Sequence, residues 1–312
     1  VFTNTVPSSP TRPNFDGSPM SAEAALRLDF AISVGLISIV LPFVARSDLL
    51  RSSRSCLAGG DHLWWSPKGT LFPLVFKKSS SGSARVIVEN IVAPYFETNC
   101  WILASSSNSE CFIVDPGIAQ PNLLGPIKET LREKNLKPVA VVLTHGHLDH
   151  TFSVVPLADG YGIPALIHSR DRGALVNPYQ VITTGGPTEE LIKALGITKF
   201  SEPSNLRVLE NEEKIEIAGL QISVTHAPGH TAGSTIFTVS DNYLISGDVL
   251  FAGAIGRTDM PSGSMKDMKE TLKKKILPLP NELIVLPGHG PQTTIARERQ
   301  KNPYLQTDFL ES

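Results

Sequence analysis

The seven residues Thr144-His145-Gly146-His147-Leu148-Asp149-His150 crowd three imidazoles and a carboxylate into six positions. Protonated together, these histidines would repel one another. Unprotonated, they offer nitrogen and oxygen lone pairs to a shared cation. The apolar run Val139–Leu143 leads into the motif, and alternate residues of an extended segment point the same way. His145, His147 and Asp149 are therefore expected on one face at the end of a strand, with His150 opening the next element. The plain alternative is a polar loop of solvated histidines, which gives the crowding no purpose.

Such a cluster is too small for a closed site, and three later strand ends offer partners. Ile222–Thr225 leads to Pro228-Gly229-His230-Thr231, Tyr243–Ile245 to Ser246-Gly247-Asp248, and Leu283–Leu286 to Pro287-Gly288-His289-Gly290. Each repeats one layout: apolar strand, glycine, then a ligand-type side chain. Glycine lets the backbone turn sharply and come close to a bound group. Five of the eight histidines thus belong to strand-end motifs.

Further strand-length apolar runs at Val86–Val92, Trp101–Ala104, Cys111–Val114, Pro164–Ile167 and Thr235–Val239 must carry these ends. Helical patterns lie between some of them, at Leu123–Lys134, Glu189–Leu195, Met265–Ile276 and Thr294–Lys301. Interleaving of this kind indicates an α/β domain with helices packed outside sheets. It occupies residues 85–312, which carry a net charge of −5. Residues 1–84 carry +3, hold 15 Ser and 7 Pro, and read as a poorly ordered or targeting extension. Within it, Phe30–Ala45 is apolar for 16 residues, short of a spanning helix and interrupted by Pro42. A signal-peptide core, a short anchor, a transit peptide or a buried helix all fit, and membrane contact is expected only if this stretch anchors. The sequence opens on Val1, which leaves the translation start open, Met20 being one candidate. Cytoplasm is the expected location, and the oligomeric state is not legible.

The whole chain, with 28 Lys+Arg against 30 Asp+Glu, has no basic block to track phosphates, so no nucleic-acid partner is expected. Cys56, Cys100 and Cys111 form no C-x-x-C pair, which excludes a disulfide framework or a thiolate metal site.

The ordered set THGHLDH, PGHT, SGDVLF and PGHG resembles the metallo-β-lactamase superfamily. Ile255-Gly256-Arg257-Thr258-Asp259 and the ending Pro287-Gly288-His289-Gly290-Pro291 through Asn302-Pro303 narrow the resemblance to the compact, single-domain glyoxalase II branch, over about Val86 to Leu305. The resemblance implies a four-layer αββα sandwich with metals at one edge of its two sheets. It places His145, His147 and His230 on one metal, Asp149, His150 and His289 on a second, and Asp248 between them. Two divalent ions are implied, zinc first, with iron or manganese accepting the same donors. Asp115 matches the family's first motif as a residue that steadies a ligand, a turn-forming Asp before Pro116 being the alternative. Thr144 is read likewise, or as merely strand-terminal. Arg257 is the candidate substrate contact, a surface ion pair to Asp259 or Asp267 being its alternative. His226 and His168 are read as structural.

The implied activity is hydrolysis of a small thioester such as an S-2-hydroxyacylglutathione, by hydroxide generated at the metals. Asp149 and Asp248 are the catalytic candidates. No G-x-S-x-G elbow is present, so no covalent acyl-enzyme is expected. Full-length glyoxalase II enzymes have a C-terminal helical domain for glutathione, whereas 23 residues follow His289 here. Another thiol carrier or a smaller acyl group therefore stands beside glutathione. Persulfide dioxygenases of the same superfamily use one iron and lack a match for His289, which makes them the alternative reading. A metal-binding module without turnover is a third, and lactonase, β-lactamase and nuclease activities belong to the same superfamily.

Overall fold

The computed structural model describes residues 85–106 and 109–312. The extension 1–84, with Phe30–Ala45, Cys56 and His62, lies outside the described residues. In chain order the elements are β1 (Val86–Val92), β2 (Asn99–Ser105), β3 (Glu110–Val114), α1 (Leu124–Glu133) and β4 (Lys137–Val142). Then come α2 (Leu148–Thr151), α3 (Val154–Tyr161), β5 (Ala165–His168), α4 (Pro187–Ala194), β6 (Leu206–Leu209), β7 (Glu213–Ile217) and β8 (Leu220–His226). The chain closes with β9 (Thr235–Val239), β10 (Tyr243–Gly247), α5 (Met265–Thr271), β11 (Ile284–Pro287), β12 (Thr293–Thr294), α6 (Ile295–Lys301) and α7 (Thr307–Glu311).

The strands form two six-stranded sheets, ordered β1-β2-β3-β4-β5-β6 and β12-β11-β10-β9-β8-β7. Period-two alternation sorts their side chains between layers. Trp101, Leu103, Phe112, Val114 and Val142 of the first sheet meet Phe237, Val239, Ile245 and Leu286 of the second in a core between the sheets. The intervening residues Ile102, Ile113, Val141 and Leu143 face outward, against Ile127 and Leu131 of α1 and Leu157 of α3. On the far side, Leu244 and Val285 pack under Met268, Leu272 and Ile276 and under the C-terminal Leu305 and Leu310. Helix, sheet, sheet, helix is the expected four-layer order. Phe112 and Phe237 are fully buried, so truncating either to Ala should cost about 3–5 kcal/mol. Cys100 and Cys111 fill the outer face of the first sheet. Burial pushes the Cys111 thiol up to about 12, which keeps it a small packing residue.

The two sheets are pinned together at one end. Trp101 Nε1 donates to the Pro287 carbonyl at 3.0 Å, and Asn99 N to the Gly288 carbonyl at 2.7 Å. At the same end Thr235 N donates to the Thr144 carbonyl at 2.9 Å. Among the described residues, no helix is long and apolar enough to cross a membrane.

Candidate metal centre

Five strands, β3, β4, β8, β10 and β11, deliver Asp115, the 145–150 motif, His230, Asp248 and His289 to this pinned edge. His145, His147 and His230 form one donor group, and Asp149, His150 and His289 another. Every sequence-predicted ligand is therefore in one of the two groups or, for Asp248, between them.

In the first group, His145 Nε2 lies 3.0 Å from His147 Nδ1, which lies 2.8 Å from His230 Nε2. The opposite ring nitrogens fix the tautomers. His147 Nε2 meets the Val181 carbonyl at 3.0 Å and His230 Nδ1 meets the Arg257 carbonyl at 2.7 Å. A carbonyl only accepts, so those nitrogens carry the protons and the facing pair is bare. Burial, with the neighbouring imidazole of His230, pushes His147 down to about 4 despite Asp149 and Asp248. Burial likewise pushes His230 down to about 4, against its bond to Arg257. Burial and four surrounding imidazoles hold His145 well below the ordinary histidine range. At neutral pH, then, two nitrogen lone pairs face each other at 2.8 Å with no proton between. That contact is repulsive unless a cation occupies the centre. Converging imidazole nitrogens of this kind are donors that a divalent ion such as zinc would accept.

The second group is more charged. His150 Nε2 lies 3.2 Å from His289 Nε2, and Asp149 Oδ2 lies 3.4 Å and 3.3 Å from those two atoms. Burial alone would lower His150, but Asp248, Asp149 and Asp115 outweigh it and lift the imidazole to about 10. His289 is raised as well, burial being overcome by Asp248 and Asp149. Burial would raise Asp149, yet His150 and His289 hold it well below the usual carboxylate range. Without a metal, the Asp149 carboxylate thus faces a protonated His150 imidazole.

Asp248 stands between the groups. Its Oδ1 is 3.4 Å from His150 Nε2, and its Oδ2 is 3.4 Å from His230 Nε2 and 3.5 Å from His289 Nε2. Oδ1 is buried and accepts no hydrogen bond, an arrangement that a cation would satisfy. The donors are all nitrogen and oxygen, so the set fits borderline or hard divalent ions.

Asp115, at φ +49°, accepts from Thr144 N at 2.8 Å and from Thr144 Oγ1 at 2.6 Å. His150 Nδ1 donates to the same carboxylate at 3.0 Å, and Thr144 Oγ1 also touches His145 Nδ1 at 3.0 Å. Asp115 and Thr144 therefore aim one imidazole in each group. The Arg257 guanidinium is half-exposed and pairs bidentately with Asp259 at 2.7 and 2.9 Å. Its carbonyl, rather than its charge, reaches the cluster. His226 and His168 join neither group: they stack on each other at 4.2 Å.

Several contributors escape a motif reading. Thr98 Oγ1 donates to Asp149 Oδ2 at 3.3 Å. Asn99 Nδ2 donates to the Pro287 and Gly290 carbonyls at 3.0 and 2.8 Å, bracketing His289. The Val181 carbonyl has no side-chain signal at all.

The sequence model of the metallo-beta-lactamase superfamily matches residues 93–289. An uncharacterized protein of Mycobacterium leprae is 37% identical over 224 residues, covering 71% of this chain and 99% of its own. A hydroxyacylglutathione hydrolase of Haemophilus influenzae is 30% identical over 223 residues, covering 70% and 98%. Among solved structures, the BLEG-1 B3 metallo-beta-lactamase matches with a TM-score of 0.61 and 33% identity, over 70% of this chain and 100% of that one. The di-iron-bound form of TTHA1623 matches with a TM-score of 0.56 and 30% identity, again over 70% and 100%. With two sheets flanked by helices, donors at the pinned edge and these relatives, the chain belongs to the metallo-beta-lactamase superfamily.

Proposed function

We propose that the chain is a binuclear metal-dependent hydrolase of small thioesters, of the S-2-hydroxyacylglutathione type. The observation that carries this reading is Asp248, whose carboxylate lies within 3.5 Å of His230 of one donor group and of His150 and His289 of the other. His145, His147 and His230 would hold one ion, Asp149, His150 and His289 the other, and Asp248 would share both. Divalent cations bound there would polarise an acyl carbonyl and lower the pKa of water to about 7. Zinc is the first candidate, with iron or manganese accepting the same donors, and iron is supported by the di-iron form of a similar protein. The glyoxalase II-like substrate is supported by the relative in Haemophilus influenzae that bears that name.

The chain's own groups supply orientation. Asp149 is the more exposed of the two carboxylates, and Thr98 Oγ1 braces it, so it can accept a hydrogen bond from the attacking water. Asp115 and Thr144 hold the imidazoles so that no reorganisation is needed at the moment of reaction. Arg257 is the proposed contact for a substrate carboxylate, exchanging its bond to Asp259 for one to the ligand. A thiolate leaves readily, its conjugate acid having a pKa near ~8.5, so no separate general acid is required.

The test is one preparation divided for metal analysis, S-lactoylglutathione hydrolysis, a β-lactam assay and persulfide-dependent oxygen uptake. Two metals per chain with thioester cleavage is the expected result. One iron with oxygen consumption would establish the dioxygenase reading, and metal without any turnover a binding module.

A further inference from the structure

Asp171 lies outside every motif singled out above, in the turn that follows β5. Its side chain is buried, at 1% exposure. The carboxylate accepts three hydrogen bonds from two segments far apart in sequence. Gly146 N donates to Oδ2 at 2.8 Å, Thr231 Oγ1 to the same oxygen at 2.6 Å, and Gly233 N to Oδ1 at 2.7 Å. Gly146 is the residue between His145 and His147, and Thr231 directly follows His230. One carboxylate therefore joins the two segments that bring together all three imidazoles of the first donor group.

The packing around it is closed. A Cβ on Gly233 would lie 2.5 Å from Asp171 Cγ, and one on Gly146 would lie 2.8 Å from Ala174 Cβ and 3.1 Å from the Asp171 carbonyl. Gly233 is thus required because the Asp171 carboxylate is pressed against it, and Gly146 because Ala174 and the Asp171 main chain are. Thr231 is held in turn, its N donating to Ser234 Oγ at 2.9 Å.

We propose that Asp171 is a positioning residue that sets the spacing of His145 and His147 against His230, and through it the affinity and geometry of the first metal position. The inference rests on the metal-hydrolase reading above. An Asn in its place keeps the shape but turns its NH2 toward the backbone N–H of Gly146 or of Gly233, neither of which can accept. One of the three bonds is then lost and the segments spread.

The experiment is titration of metal-stripped wild type, Asp171→Asn and Thr231→Val with Co²⁺, followed by absorption, which reads coordination geometry as well as occupancy. Chelator competition with Zn²⁺ gives the Kd of each position. Asp171→Asn is expected to weaken the first position by about 10–100-fold and alter its Co²⁺ spectrum, leaving the position at Asp149, His150 and His289 unchanged. General destabilisation would not select one position. Thr231→Val removes the hydroxyl's bond to Asp171, with its 2.8 Å contact to Ser234 Oγ, while keeping the carboxylate; it should weaken the same position by about tenfold, and decides the matter if Asp171→Asn does not fold. Wild-type affinity and spectrum in the folded variants would overturn the role of Asp171 alone. A wild-type chain that takes up no metal would overturn the hydrolase reading and this inference with it.

Discussion

Gly288 offers a sharp test of whether Asp248 is held where two ions need it. A Cβ at this position would fall 2.1 Å from Asp248 Oδ1 and 2.8 Å from His150 Cε1. Ordinary carbon contacts settle near 3.5 Å, so Gly288→Ala demands a retreat of more than ~1 Å by the carboxylate or the backbone. The backbone has little freedom, since Gly288 N donates to the Gly247 carbonyl at 2.8 Å and its own carbonyl accepts from Asn99 N at 2.7 Å. The carboxylate therefore gives way, separating the donor it shares between the two groups. Misplacement of about 1 Å at a reacting centre costs on the order of 10²-fold. We expect kcat/KM for S-lactoylglutathione to fall by about that factor, with less than two metals retained per chain. Gly125→Ala in α1 is the control, because a Cβ there meets nothing within 4 Å, and it should leave turnover and metal content unchanged. Gly288→Ala with two metals and activity within about threefold of wild type would refute the assignment of Asp248 as the shared ligand.

Three further outcomes are expected. His289→Ala should lose one metal and at least ~10²-fold in hydrolysis, by the several kcal/mol one ion supplies; unchanged turnover would remove the binuclear mechanism. Metal uptake at pH 7.5 should release protons, because His150, lifted to about 10, is protonated in the metal-free chain and a cation replaces that proton. Calorimetry in buffers of different ionisation enthalpy counts them, and a count of zero would contradict the electrostatics of the second group. The sign in the metal-free chain follows: a raised pKa stabilises the fold fully below pH 6.5, and that contribution is lost as pH rises towards 10. Arg257→Ala should keep both metals, since only its carbonyl holds His230, and raise KM about 10–100-fold for a carboxylate-bearing thioester; an unchanged KM would end its role in substrate binding.

Of the strands that carry donors, β3, β4, β10 and β11 were legible as apolar runs buried between a second sheet and a helix layer, whereas β8 alternates, burying Leu220, Ile222 and Val224 and exposing Gln221. Continuous runs such as Cys111–Val114 and Val139–Leu143 announce themselves. The missed elements lie where that pattern fails. β7 reads Glu-Lys-Ile-Glu-Ile, an edge strand with one wet face, so its charges mask it. β12 has two residues and exists only through pairing with β11. Helix α3 contains Pro156 and Gly160, residues that argue against a helix locally, yet Val154, Leu157 and Ala158 are buried. Packing on the first sheet overrides propensity there.

The same division runs through the site. A residue that holds a metal through its side chain is drawn from the few types with a suitable donor, here His and Asp, so chemistry restricts its type and the motif shows it. A residue that aims a ligand can be anything with an acceptor in the right place. Asp115 was visible through its match to the family's first motif, and it sits at φ +49° in a turn before Pro116. Val181 acts through its carbonyl, which every residue has. Asp171 acts through a carboxylate at a position fixed only by the fold, 25 residues from Gly146 and 62 from Gly233. Its partners are glycines whose side-chain absence is the signal. The glycines at positions 233 and 288 are therefore records of the carboxylates pressed against them, Asp171 and Asp248, while Gly146 makes room for Ala174 and the Asp171 main chain. Such glycines point to the carboxylates that organise the two donor groups, and substituting them should perturb metal geometry before it perturbs the fold.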